Sequence, residues 1–181
     1  MPMITLQADP DRPEAVEFYR RLGMCVTSWA FVDRCLYQIF HHAVGVEQKH
    51  SAVLYYGDRT FGRRLDLVDR SLKAELPQEE FLDEWRPLRN ATRDLTNTRN
   101  VLVHQPTLRT ATAKDGLPLD IYEIHIEPYE RILNNDPPGF RGKETIGIED
   151  LRAHEKDVGE LHDKLKDFAW KMGGRRAAMR S

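Results

Sequence analysis

The chain is 181 residues long, with 40% apolar and 31% charged side chains and a formal net charge of -2. That length suits one domain with a core of its own, and the composition excludes a disordered chain. The near-neutral balance excludes a globally basic nucleic-acid binder, so any contact with RNA must come from charge concentrated locally.

Two cysteines, Cys25 and Cys35, fall ten positions apart on one helical pattern. About 15 Å of axial separation keeps them from bonding to each other, so they read as buried free thiols. The first residues hold no basic-then-apolar run, and no run of about 18 apolar residues occurs. The expectation is a cytoplasmic protein with no membrane span.

After a short leader, Asp11 and Pro13 supply helix-start chemistry, and an amphipathic helix is predicted over about 14–44. Its apolar positions are Val16, Tyr19, Val26, Trp29, Val32, Leu36, Ile39 and Phe40, and Gly45 ends it. Residues 47–56 suggest a short helix or turn. Asp58 is the expected cap of the next helix, whose one-sided stripe is Phe61, Leu65, Val68, Leu72 and Leu76, closed by Pro77.

A third long segment covers about 78–104, and Phe81, Leu88, Leu95 and Leu102 recur in it every seven residues. The companion positions are Trp85, Thr92 and Arg99, so an arginine occupies a slot that packing would fill with an apolar side chain. Pro87 predicts a kink or break near 83–87. The period then changes: about 107–128 reads as a β-hairpin around Lys114-Asp115-Gly116, and 129–147 as a loop. A last helix is expected over about 148–172 on Leu151, Val158, Leu161, Leu165, Phe168 and Met172. Gly173-Gly174 stops it before a mobile basic tail at 173–181. The economical arrangement is one mainly α domain over 1–181, an antiparallel four-helix bundle with the hairpin inserted between the third and last main helices.

Polar chemistry concentrates at Thr98-Arg99-Asn100-Val101-Leu102-Val103-His104, just before Gln105-Pro106. On a helix Asn100 and His104 are i, i+4 and share a face, and the long side chain of Arg99 reaches the same space. Histidine suits proton transfer near neutral pH, and arginine offers a permanent charge and a planar fork for phosphate. The trio suits phosphodiester chemistry without a metal.

Arg-Asn-x-x-x-His at the end of a bundle helix resembles the signature of the HEPN superfamily, an arginine, often a polar residue, then a histidine after four to six positions. Arg99, Asn100 and His104 match it, with four residues between arginine and histidine. The resemblance implies a metal-independent endoribonuclease of toxin or phage-defence type, needing no cofactor. Two motifs would meet across a homodimer cleft. His104 would serve as general acid or base for attack of a ribose 2′-OH, leaving a 2′,3′-cyclic phosphate. Arg99 would stabilise the phosphate oxygens, and Asn100 would orient the histidine or a phosphate oxygen. The implied partners are RNA and an antitoxin or a nucleotidyltransferase-like protein. The alternatives are a non-catalytic HEPN-like module that binds nucleotide, RNA or a partner, and a structural helical adaptor.

The plainer reading makes His104 a helix cap and Arg99 an ion-pair partner of Asp33 or Asp66. Asp33 is also a candidate supporting residue facing the motif. Arg63, Arg64 and Arg93, with Arg86 and Arg89, are candidate RNA contacts. His41, His42 and His50 do not converge as metal ligands. His125, His154 and His162 read as solvated.

Overall fold

The computed structural model describes residues 4–5, 12–75, 79–104, 107–111, 122–126 and 145–180. They are mainly helical. Helix α1 spans Pro13–Val44, α2 Gln48–Tyr56, α3 Phe61–Glu75, α4 Glu79–His104 and α5 Ile148–Arg180. Strands β1 (Ile4–Thr5), β2 (Thr107–Ala111) and β3 (Tyr122–Ile126) form an antiparallel sheet in that order. Ile4 pairs with Ala111, and Thr107 through Ala111 pair with Ile126 back to Tyr122. Two stretches read from the sequence, the turn at Lys114-Asp115-Gly116 and the loop up to residue 144, lie outside the described residues, as do Leu76 and Pro77. Among the described residues no helix is long and apolar enough to cross a membrane.

The helix ends follow backbone chemistry. Proline at the first position of α1 lacks the N–H that a helix start leaves unpaired. Gly45 takes φ 67° and its N–H donates to the His41 carbonyl at 3.0 Å, a left-handed stop that glycine adopts without strain. Helix α3 starts at Phe61, so Asp58 lies too early to be its cap.

Two long helices continue past residues expected to kink, break or stop them. Pro87 sits inside α4. Both it and Asp83, whose carbonyl loses its donor, are exposed, so the core does not bury that carbonyl without a partner. Helix α5 continues through Gly173-Gly174 to Arg180, so the tail expected to be mobile is helical over 175–180.

The chain divides into two compact units, each assembled from separated stretches, and α1, α4 and α5 contribute to both. One comprises Met1–Thr27 and Asn97–Lys156, the other Ser28–Thr96 and Asp157–Ser181. The core of the first is Ala15, Phe18, Cys25, Leu102, Ile124, Ile126 and Leu151. The larger core of the second includes Trp29, Leu36, Ile39, Tyr55, Leu65, Val68, Leu72, Trp85, Leu165 and Phe168.

The face of α1 in the first unit differs from the predicted one. Val16, Tyr19 and Val26 are 53%, 41% and 38% exposed, while Ala15, Phe18 and Cys25 point inward. Burial raises the Cys25 thiol to about 11, so this cysteine is an apolar packing group and not a nucleophile. Farther along α1 the expected stripe Trp29, Val32, Leu36, Ile39 and Phe40 is buried, as is that of α5 from Leu151 to Met172.

Candidate functional site

Helix α4 positions the motif. Trp85, Leu88, Thr92 and Leu102 are buried along its inner stripe, and Arg99 lies half-buried in line with them. Thr92 satisfies its buried hydroxyl by donating to the Leu88 carbonyl at 2.7 Å. Arg99 has no such local solution. Its Nε is buried without a hydrogen-bond partner, and Nη1 donates to the Asn100 side-chain oxygen at 3.2 Å. Asn100 and His104 are exposed, and His104 is the last residue of the helix.

The two carboxylates proposed as ion-pair partners of Arg99 are engaged elsewhere. Asp33 Oδ1 accepts from the Tyr55 hydroxyl at 2.9 Å and from Arg64 Nε at 3.2 Å. Burial, then the adjacent Asp33 charge, push the Tyr55 hydroxyl far above its ordinary range, so it stays a donor. Asp66 lies 3.6 Å from Arg89 and 3.2 Å from Arg93. Arg99 therefore carries a charge on a packing stripe with no carboxylate paired to it among the described residues.

The basic candidates separate. Arg64 is only 17% exposed and is structural: besides Asp33 it donates to the Asp58 carbonyl at 3.2 Å and lies over the rings of Tyr55 and Phe61. Its guanidinium, proposed as an RNA contact, is thus engaged within the fold by a carboxylate, a carbonyl and two rings. Arg63, 77% exposed, stands 3.9 Å from Asp58 and remains open. Arg93 is half-exposed beside Asp66. The motif belongs to the first unit, whereas Asp33, Arg63, Arg64 and Arg93 belong to the second.

Two histidines read as solvated are buried. His154 falls between Leu151 and Val158 on the inner face of α5, and His125 lies between Ile124 and Ile126 on a strand covered on both sides. His162 is half-buried with its ring edge-on to Phe31. His41 Nδ1 is 2.9 Å from the Ser51 hydroxyl, a pair that no spacing in the sequence announces. It is not a nucleophile–base pair: Ser51 is fully buried and its hydroxyl donates to the Gln48 carbonyl at 2.9 Å within α2, while the His41 contact ties α2 to α1. Among the described residues no group of three or more His, Cys, Asp or Glu is placed to hold a metal ion.

Asp69 shows what a settled buried charge looks like. It accepts from Trp85 Nε1 at 3.0 Å and from Lys73 at 2.8 Å, with Arg89 3.4 Å away. Burial pulls its carboxyl upward, but the Lys73 and Trp85 bonds and the Arg89 charge outweigh that and hold it below the ordinary value. Arg99 lacks any comparable setting, which leaves its guanidinium available to an anion. No protein-family model matches the chain, and no curated protein or solved structure matches it either.

Proposed function

We propose that this protein is a metal-independent ribonuclease of HEPN type. In this reading it is an antiparallel four-helix bundle with an inserted hairpin, and two copies join their motifs in one cleft. The observation that carries the reading is Arg99: a half-buried arginine on the packing stripe of α4, with a buried Nε lacking an acceptor and no carboxylate partner among the described residues. A structural arginine in such a slot is normally neutralised, because an unpaired buried charge is costly. An arginine kept for a ligand anion has no such partner. His104, exposed one turn beyond Asn100, would supply the proton-transfer group.

The chemistry proceeds in steps that these side chains can serve. A ribose 2′-OH attacks the adjacent phosphorus while His104 takes or returns the proton. The P–O5′ bond breaks and the 5′-oxygen leaves as a hydroxyl, on a proton that a His104 imidazolium gives it, while Arg99 balances the charge that grows on the non-bridging oxygens. The product is a 2′,3′-cyclic phosphate, and the need for the 2′-OH selects RNA over DNA.

Arg99→Ala and His104→Ala should each lower cleavage of a single-stranded RNA by roughly 10²-fold or more, as expected on removing a charge stabiliser or an acid–base group. Circular dichroism should be unchanged and chelator without effect. A fully active His104→Ala protein, or a strict metal requirement, overturns the mechanism. Unfolding of Arg99→Ala would return that arginine to a structural role.

A further inference from the structure

We infer that Asn100 is a positioning residue for Arg99 and not for His104, an inference that rests on the ribonuclease reading for its ligand. Asn100 and His104 share a helix face, so spacing alone favours a histidine-orienting role. The hydrogen bond goes the other way: the Asn100 side-chain oxygen accepts from Arg99 Nη1 at 3.2 Å. This is the one polar anchor of the guanidinium among the described residues, since Nε is buried without a partner and no carboxylate is paired to it.

Arginine carries one proton on Nε and two on each terminal nitrogen. With the stem packed on the α4 stripe and one Nη1 proton given to Asn100, the rotation of the planar head is fixed. The second Nη1 proton and both Nη2 protons are left for a phosphate. Without Asn100 the head is free to rotate, and the entropy of fixing it falls on substrate binding.

The test is a double-mutant cycle read by binding. The probe is a fluorescent 2′-O-methyl RNA oligonucleotide, which presents phosphates but cannot be cleaved because its 2′-oxygen is blocked. Arg99→Ala should weaken binding roughly tenfold and Asn100→Ala about threefold to fivefold, the scale of one charge-assisted hydrogen bond lost outright or left unguided. The double variant should bind no more weakly than Arg99→Ala. Losses that multiply in the double variant overturn the inference.

Two spectroscopic readouts accompany the cycle. With ¹⁵N-labelled arginine, Arg99 Nε–H should exchange with water about tenfold or more faster in Asn100→Ala, because an unanchored head lets the buried proton reach solvent; an unchanged rate counts against the hold. The His104 ring tautomer, read from its side-chain ¹⁵N resonances, should be unmoved by Asn100→Ala, and a change would assign Asn100 to the histidine instead. Failure of the wild-type protein to bind the oligonucleotide would strike the ribonuclease reading, while the exchange rate still decides whether Asn100 anchors Arg99.

Discussion

Trp29 and Trp85 carry the same donor into the same core with different outcomes. Trp85 Nε1 donates to Asp69, whereas Trp29 Nε1 is buried with no acceptor while its ring packs 5.0 Å from Phe61. Replacing Trp29 by Phe removes apolar volume but also removes an unsatisfied donor, worth about 1–3 kcal/mol in the opposite direction. Replacing Trp85 by Phe removes volume and a bond to a charged acceptor. Trp85→Phe should therefore cost at least about 1.5 kcal/mol more than Trp29→Phe. Urea unfolding of the two variants measures this, and equal costs would mean that the Trp29 donor is satisfied in solution. Neither outcome is visible in the chain itself, where both tryptophans sit at core spacing. Arg63 and Arg64 make the same point: adjacent and chemically identical, one is open to solvent and the other is clamped between Asp33, Asp58 and two rings.

At the scale of elements, the Gly173-Gly174 pair reads as a stop, yet α5 passes through it. A neighbour accounts for the first of the two glycines. A Cβ on Gly173 would come 3.1 Å from His42 Nε2, whereas one on Gly174 would meet nothing. Gly173 lets the helix approach the His42 ring closely, and Gly174 has no such duty. Gly174→Ala should raise stability by up to about 1 kcal/mol through helix propensity alone. Gly173→Ala should gain less or lose, because the ring must shift. Thermal melts of the two variants check the order, and a Gly173→Ala protein as stable as Gly174→Ala would show that the ring yields freely. Pro87 follows the same logic: a breaker by rule, it is tolerated in α4 because its side of the helix faces water.

For the whole molecule, the question is whether one chain holds a complete site. Each chain supplies one Arg99 and one His104, and the proposed mechanism requires two copies at one cleft. An inactive Arg99→Ala/His104→Ala chain, refolded together with wild type, should therefore poison cleavage. Activity should fall with the square of the wild-type fraction if both motifs are needed. A linear fall, or a monomeric wild-type protein in sedimentation, would overturn the shared site and leave each chain to act alone.

Periodicity by itself determined the helical elements, the inner stripes of α4 and α5, the free cysteines and the place of Arg99 as a charge in an apolar slot. Those features are local, since a 3.6-residue repeat and the cost of a buried charge are written in neighbouring residues. Tertiary structure alone decided which side of α1 faces inward at Ala15 and Phe18, because apolar residues lie on both sides of that stretch. It decided that His125 and His154 are buried, since covering a second face takes residues distant in sequence. It also decided that Asp33 belongs to Arg64 and Tyr55, leaving Arg99 to Asn100. Pairings between charges depend on which elements meet, and many arrangements of the same helices satisfy the same pattern of apolar and polar residues.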